Sequence, residues 1–200
     1  SAQNRAVTAE DFKTLVLSMP AKFGGVKRCA VIQDVDSNLR NINIYIVSQA
    51  TDGILEATNT VLKENIKTWL NTKRMINDSV DILDAKVVNL GVRFSAIANN
   101  NENKTVVFDR IQRRMNEYFA EKLDIGESFS ITELYSLINA TPGIVDATFV
   151  QVFQQTGPGY ATTKFNVNNN MTPDGRMIIA PKNVVFEVRY PQRDIKGTIT

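Results

Sequence analysis

One pattern, written twice, constrains the fold of this chain more than any other feature. Near the start, TAEDFKTLVLSMP runs into GGVKRCAVIQ; later, SITELYSLINA runs into TPGIVDATFV. Each pairs a short amphipathic helix pattern with a Pro or Gly break and then an apolar strand. Thr8 and Ser130 stand where an N-cap belongs, with Asp11 and Glu133 three residues on. S-I-T-E is a proper capping box and T-A-E-D a variant of it. The simplest account is α+β, with two related small modules in tandem, each laying helices on one face of a mostly antiparallel sheet.

The rest of the chain fills in that outline. Phe12, Leu15, Val16 and Met19 follow i, i+3, i+4, i+7 and predict a helix over 9–19, stopped by Pro20. Strands are predicted at 26–33 and at NINIYIVS, with DVDSNLRN as a turn between them. Ile54/Leu55, Thr58, Val61/Leu62, Ile66 and Trp69/Leu70 form one apolar stripe, a helix of about five turns. One long strand is predicted over 82–98, with Val88, Leu90, Val92, Phe94 and Ala96 facing one way. ANNNENK, 98–104, divides the modules, giving 1–100 and 101–200. A helix over 105–122 turns Phe108, Ile111, Met115, Tyr118 and Phe119 to one side. The strand 144–154 places Val145, Ala147, Phe149 and Phe153 on one face. A long loop fills 155–175, where only Lys164–Val167 could pair and Pro173-Asp174-Gly175 turns tightly. The last strand is 183–190, and the tail after Pro191 frays. Strands that alternate on one side only suit sheets covered on one face.

Composition excludes several classes of function. The chain has 200 residues, 43% hydrophobic and 22% charged, enough for a core without disulfides or metals. With 23 basic against 21 acidic residues, charge gives no reason to expect a nucleic-acid or membrane partner. No run approaches the roughly 18 apolar residues of a membrane span. The single cysteine, Cys29, reads as a small buried hydrophobe.

Chemistry is hard to find. There is no histidine, which removes the commonest general base and metal ligand together. No phosphate loop or dinucleotide fingerprint occurs. Asp34-x-Asp36-x-Asn38 opens like a calcium loop, but Leu39 stands at the position for Gly and Tyr45 at that for Glu. Glu10 and Asp11 suit a helix's first turn. The reading is therefore no enzyme, no catalytic residues, no metal and no cofactor. Four side chains are candidates for a protein interface. Arg110 and Arg114 lie on an outer helix face, and Tyr160 and Phe165 are aromatics in a Gly/Asn-rich loop where nothing local obliges burial.

The opening RAVTAEDF, the GGVKRCAVI that follows, KVVNLGVRF and LDIGESFSITELYSLINATPGIVDATFV together resemble the baseplate J-like family of contractile phage tails. The resemblance runs from about residue 4 to 190. The polar insertions and NNNMTPDGRMIIAPKNVVFEVRYP are most similar to members that build the baseplate wedge of T-even-type phages. Those members are longer, so the resemblance implies a C-terminal portion. It implies a structural virion protein in the tail baseplate, assembled in the host bacterial cytoplasm. Its partners would be itself, as a dimer or ring, and other wedge proteins. A different reading is a tail-associated module that binds carbohydrate or a host surface, for which 155–175 is the candidate region.

Overall fold

Thr8 begins the first helix through a reciprocal capping box. Its amide donates to the Asp11 carboxylate at 2.8 Å, and its hydroxyl accepts from the Asp11 N–H at 3.2 Å. The computed structural model describes residues 6, 8–34, 40–73 and 78–200. Positions 5 and 7 of the RAVT opening, and Asp36, Asn38 and Leu39 of the calcium-like stretch, lie outside the described residues.

Helix α1 (Ala9–Leu17) buries Phe12 and Val16 and ends before Pro20. After a 3-10 turn the chain enters β1 (Arg28–Asp34), which pairs antiparallel with β2 (Arg40–Gln49); Cys29 sits opposite Ile46 and Val31 opposite Ile44. The short β3 (Leu55–Glu56) pairs with the end of β2, α2 (Thr60–Asn71) follows, and β4 (Asp78–Asp84) lies parallel to β2. β2 is therefore central, and Ile42, Ile44 and Ile46 face a core with Phe12, Val16, Leu62, Ile66 and Leu70. Trp69 ties the helices together by donating its indole N–H to the Leu15 carbonyl at 3.0 Å.

Next come β5 (Lys86–Ala98), α3 (Lys104–Lys122), β6 (Phe129–Ser130), α4 (Ile131–Asn139) and β7 (Ile144–Gln154). β8 (Met177–Ile178), β9 (Val184–Glu187), α5 (Pro191–Asp194) and β10 (Ile195–Ile199) complete the chain. β5 is central: β7 pairs with it antiparallel, β10 pairs parallel, and β9 also joins it. β6 and β8 form a two-stranded sheet. Asn103 caps α3 by accepting from the Thr105 N–H at 2.9 Å, and α3 buries Val107, Ile111, Met115 and Phe119. The architecture is α+β. The backbone falls into two compact units, Ser1–Lys86 with Asp124–Gly126 and Lys182–Val184, and Val87–Leu123 with Glu127–Pro181 and Val185–Thr200. The 98–104 turn lies inside the second unit and leads β5 into α3.

The doubled pattern has a structural counterpart. In each unit the short helix packs on the strand that follows it, α1 on β1 and α4 on β7, and that strand pairs antiparallel with the central one. The break before β7 is a turn closed by the Ile144 N–H donating to the Thr141 carbonyl at 3.1 Å. Gly143 sits at φ +95°, which a side chain resists.

Several local expectations are corrected. The helix predicted from Ile54 starts at Thr60, because Thr51-Asp52-Gly53 forms a turn, Leu55–Glu56 pairs with β2, and Asn59 is the cap, accepting from Leu62 N–H at 2.8 Å. The strand over 82–98 is two strands: Ala85 bonds to the Ile46 carbonyl at 2.9 Å, and after it the chain passes from the first sheet to the second. Val145 and Phe149 are exposed, not inward. Two register shifts between β5 and β7 skip Val145 and Thr148, and the buried set becomes Ala147, Val150 and Val152. Lys164–Val167 forms no strand. The tail does not fray: Ile195–Ile199 adds to β5. The S-I-T-E capping box does not form. Ser130 belongs to β6 and its hydroxyl lies 3.5 Å from the Arg176 carbonyl, while Glu133 accepts from the Tyr118 hydroxyl at 2.9 Å.

Candidate functional site

The loop after β7 leaves the sheet with no regular structure until a 3-10 turn at Asn168–Asn170, yet it is held by a polar clasp. The clasp is built on β5, β9 and α5. Asn89 in β5 is 1% exposed; its amide nitrogen donates to Glu187 Oε1 at 2.8 Å, and its oxygen accepts from the Ala161 N–H at 2.6 Å. Arg189 Nε reaches the same Glu187 oxygen at 2.9 Å, and its Nη1 donates to the Gly159 carbonyl at 3.0 Å. Asn89 lies on the face of β5 opposite Val88 and Leu90; the loop covers that face, so β5 is buried on both sides there. A buried polar group is costly unless bonded, and each of these is bonded.

Asp194 is the second anchor. It is 1% exposed and accepts from the Tyr190 N–H at 3.0 Å, from Gln155 Nε2 at 3.3 Å and from the Tyr160 hydroxyl. Arg193 donates to the Tyr160 oxygen at 3.0 Å and lies over the rings of Tyr160 and Tyr190, 5.0 and 4.5 Å from their centroids. Burial, and then the bond to Asp194, hold the Tyr160 hydroxyl above the ordinary phenol range.

Phe165 packs edge-on against Phe186 at 5.4 Å, continuing a chain of rings through Phe129 to Phe119. Gln154 bridges back to the same segment: its Nε2 donates to the Thr163 carbonyl at 2.6 Å and its Oε1 accepts from the Phe165 N–H at 3.2 Å. Between 154–158 and 161–166 lies an open groove of 780 Å³, lined by Gln154, Thr156, Gly157, Pro158 and every residue from Ala161 to Asn166.

Arg110 and Arg114 lie elsewhere, on α3. Arg110 Nη1 contacts Glu102 at 3.2 Å and the Pro142 carbonyl at 3.0 Å; Arg114 Nη1 donates to the Thr141 hydroxyl at 3.3 Å. Both hold the 141–143 turn. The structure thus joins Tyr160 and Phe165 in one clasped loop and places the two arginines at another point. The sequence reading missed Asn89, Gln154, Glu187 and Asp194. Only the last had a local signal, a Pro-x-x-Asp run that suits a single helical turn.

Among the described residues, no group of three His, Cys, Asp or Glu side chains is arranged to hold a metal ion, and no helix is long and apolar enough to cross a membrane. Cys29 is buried, and burial pushes its thiol up to about 12.

No protein-family model matches the sequence, and no curated protein does. The fold is similar to a chain in the cryo-EM structure of the anti-feeding prophage (AFP) baseplate, 6-fold symmetrised, with a TM-score of 0.57 and 12% identity. The match covers 92% of this chain and 38% of that one, so this chain spans well under half of its length.

Proposed function

We propose that this chain is a non-enzymatic structural subunit of a contractile-tail baseplate. In this reading it is a wedge component that builds an inner ring by pairing with itself and by contacts with other wedge proteins. It would reside in the tail of the particle and assemble in the host cytoplasm. The observation that supports the reading is the shared fold, which extends over 92% of the chain rather than over one motif. The polar groups of the second unit agree with it. Asn89, Glu187, Tyr160 and Asp194 are bonded to one another or to the loop they hold, as in a scaffold that fixes a shape. Two compact units would give such a subunit separate surfaces for separate neighbours, which a closed ring needs. Cross-linking of isolated contractile particles tests it: exposed lysines such as Lys104 and Lys182 should link to other baseplate proteins. Links confined to the chain itself, with none to a baseplate protein, contradict it.

A second reading, a carbohydrate or host-surface module, is favoured by the groove, whose lining combines Thr156, Thr162, Thr163 and Asn166 with Phe165. Thr162→Ala with Asn166→Ala would abolish glycan binding in that case and leave incorporation into particles intact.

A further inference from the structure

We infer that the 161–166 segment is a preformed, extended edge that binds an extended, acidic segment of another polypeptide by main-chain pairing.

From Ala161 to Asn166 the side chains alternate half-buried and exposed, the period of two that extended chain imposes. The main-chain partners follow the same period. Ala161 N–H is taken by Asn89, Thr163 C=O by Gln154 and Phe165 N–H by Gln154. In extended chain these odd-numbered groups share one edge, and those of Thr162 and Lys164 point from the other. Among the described residues the amides and carbonyls of Thr162 and Lys164 have no hydrogen-bond partner. The segment is therefore extended chain held on its inner edge at three points, Ala161 N–H, Thr163 C=O and Phe165 N–H, by side-chain amides, and its outer edge presents two N–H and two C=O groups.

Preorganisation makes this more than an ordinary loop. An extended segment normally loses entropy when it adds to a partner. Here the buried Asn89 and Asp194 anchors and the Phe165–Phe186 contact fix its position beforehand. Unpaired donors and acceptors at strand spacing select one chemistry, another extended main chain. The groove beside the segment leaves room for side chains. Charge selects the occupant further. Lys164 is exposed, and the stretch from Gln154 to Asn166 contains no acidic residue. A second copy pairing antiparallel about Thr163 would set Lys164 against Thr162, leaving the ammonium without a counter-charge. A strand from another protein with Glu or Asp opposite Lys164 satisfies both the ladder and the charge.

The inference stands on this geometry and does not require the baseplate reading. The probe is a fluorescein-labelled peptide, Thr-Val-Glu-Val-Thr-Val, titrated against the full chain by anisotropy. Two variants carry N-methyl groups on alternate amides, one on the odd set and one on the even set. The expected result is binding by the parent, a loss of more than about tenfold with one methylated set and little change with the other, because a strand pairs through one edge at a time. Lys164→Pro, which removes an outer N–H and leaves the inner bonds, should abolish binding with an unchanged Tm. Lys164→Glu keeps the backbone, and should weaken the peptide about threefold while favouring its Glu→Lys counterpart by a similar factor. Three results overturn the inference: no binding by any of these peptides at millimolar concentration, equal binding by both methylated sets, or a dimer of the chain in light scattering that Lys164→Pro dissolves. The last would assign the edge to a second copy. Absence of the chain from particles, by contrast, would overturn only the baseplate reading.

Discussion

Asp194 shows how one buried carboxylate can hold a whole loop. Its oxygens accept from three groups, two of them on the segment from Gln155 to Tyr160. Removing it leaves the Tyr190 N–H and Tyr160 hydroxyl without an acceptor, so Asp194→Ala should destabilise the chain by about 3 kcal/mol in urea unfolding, and Tyr160→Phe by about 1 kcal/mol. The pH dependence has a definite sign. The Tyr160 hydroxyl is held above its ordinary value in the folded chain, so its contribution is complete below about pH 10 and is lost as pH rises through the raised value. The stability gap between the natural chain and Tyr160→Phe should therefore narrow in alkali. Little of this was legible in the sequence. Tyr160 and Phe165 stood out as loop aromatics, but their partners Asp194 and Phe186 lie far along the chain, and no local pattern links them. Arg110 and Arg114 read as an outer helix face; their proximity to the 141–143 turn arises only when α3 and α4 pack.

At the level of elements, local rules succeeded where one periodicity governed and failed where a neighbour intervened. α1, β2 and α3 follow their apolar spacing closely. The two caps went the opposite way to their sequence signatures. Thr8→Ala should cost about 1 kcal/mol, because its hydroxyl caps α1, whereas Ser130→Ala should stay within about 0.5 kcal/mol. The face of β7 was misread because a bulge is invisible to an alternation count: it reverses phase without changing composition. Glycines explain how the second sheet packs. Phe153 of β7 lies over Gly91 of β5, and Phe94 of β5 lies over Gly197 of β10, each pair in register. An added methyl would come within 2.6 Å of Phe153 at position 91 and 2.1 Å of Phe94 at position 197. Phe153 is half-buried and can swing away, whereas Phe94 is 2% exposed and stacked on Phe108. Gly197→Ala should thus cost about 2–3 kcal/mol and Gly91→Ala clearly less, as read from thermal unfolding. This is also why the last residues, which read as a polar tail, form a strand: Ile195, Gly197 and Ile199 present a small residue where Phe94 needs room.

For the molecule as a whole, the helix, break and strand written twice was legible because each of its signals is local, and it corresponds to a repeated packing of helix on strand. The passage from one compact unit to the next was harder to see. It occurs at Ala85 within a continuous run of strand-forming residues, and two short later segments, 124–126 and 182–184, return to the first unit. The missing histidines remove the commonest general base, and the fold shared with the baseplate chain is what supports the proposed role. The proposed role makes the chain a fixed part of a baseplate. Its most direct test is quantitative mass spectrometry of purified contractile particles, counting this chain against the other particle proteins. The proposed role predicts a fixed ratio to the other baseplate proteins, the same from one preparation to the next. A chain that is absent from purified particles, or present at a variable and substoichiometric level, would contradict it.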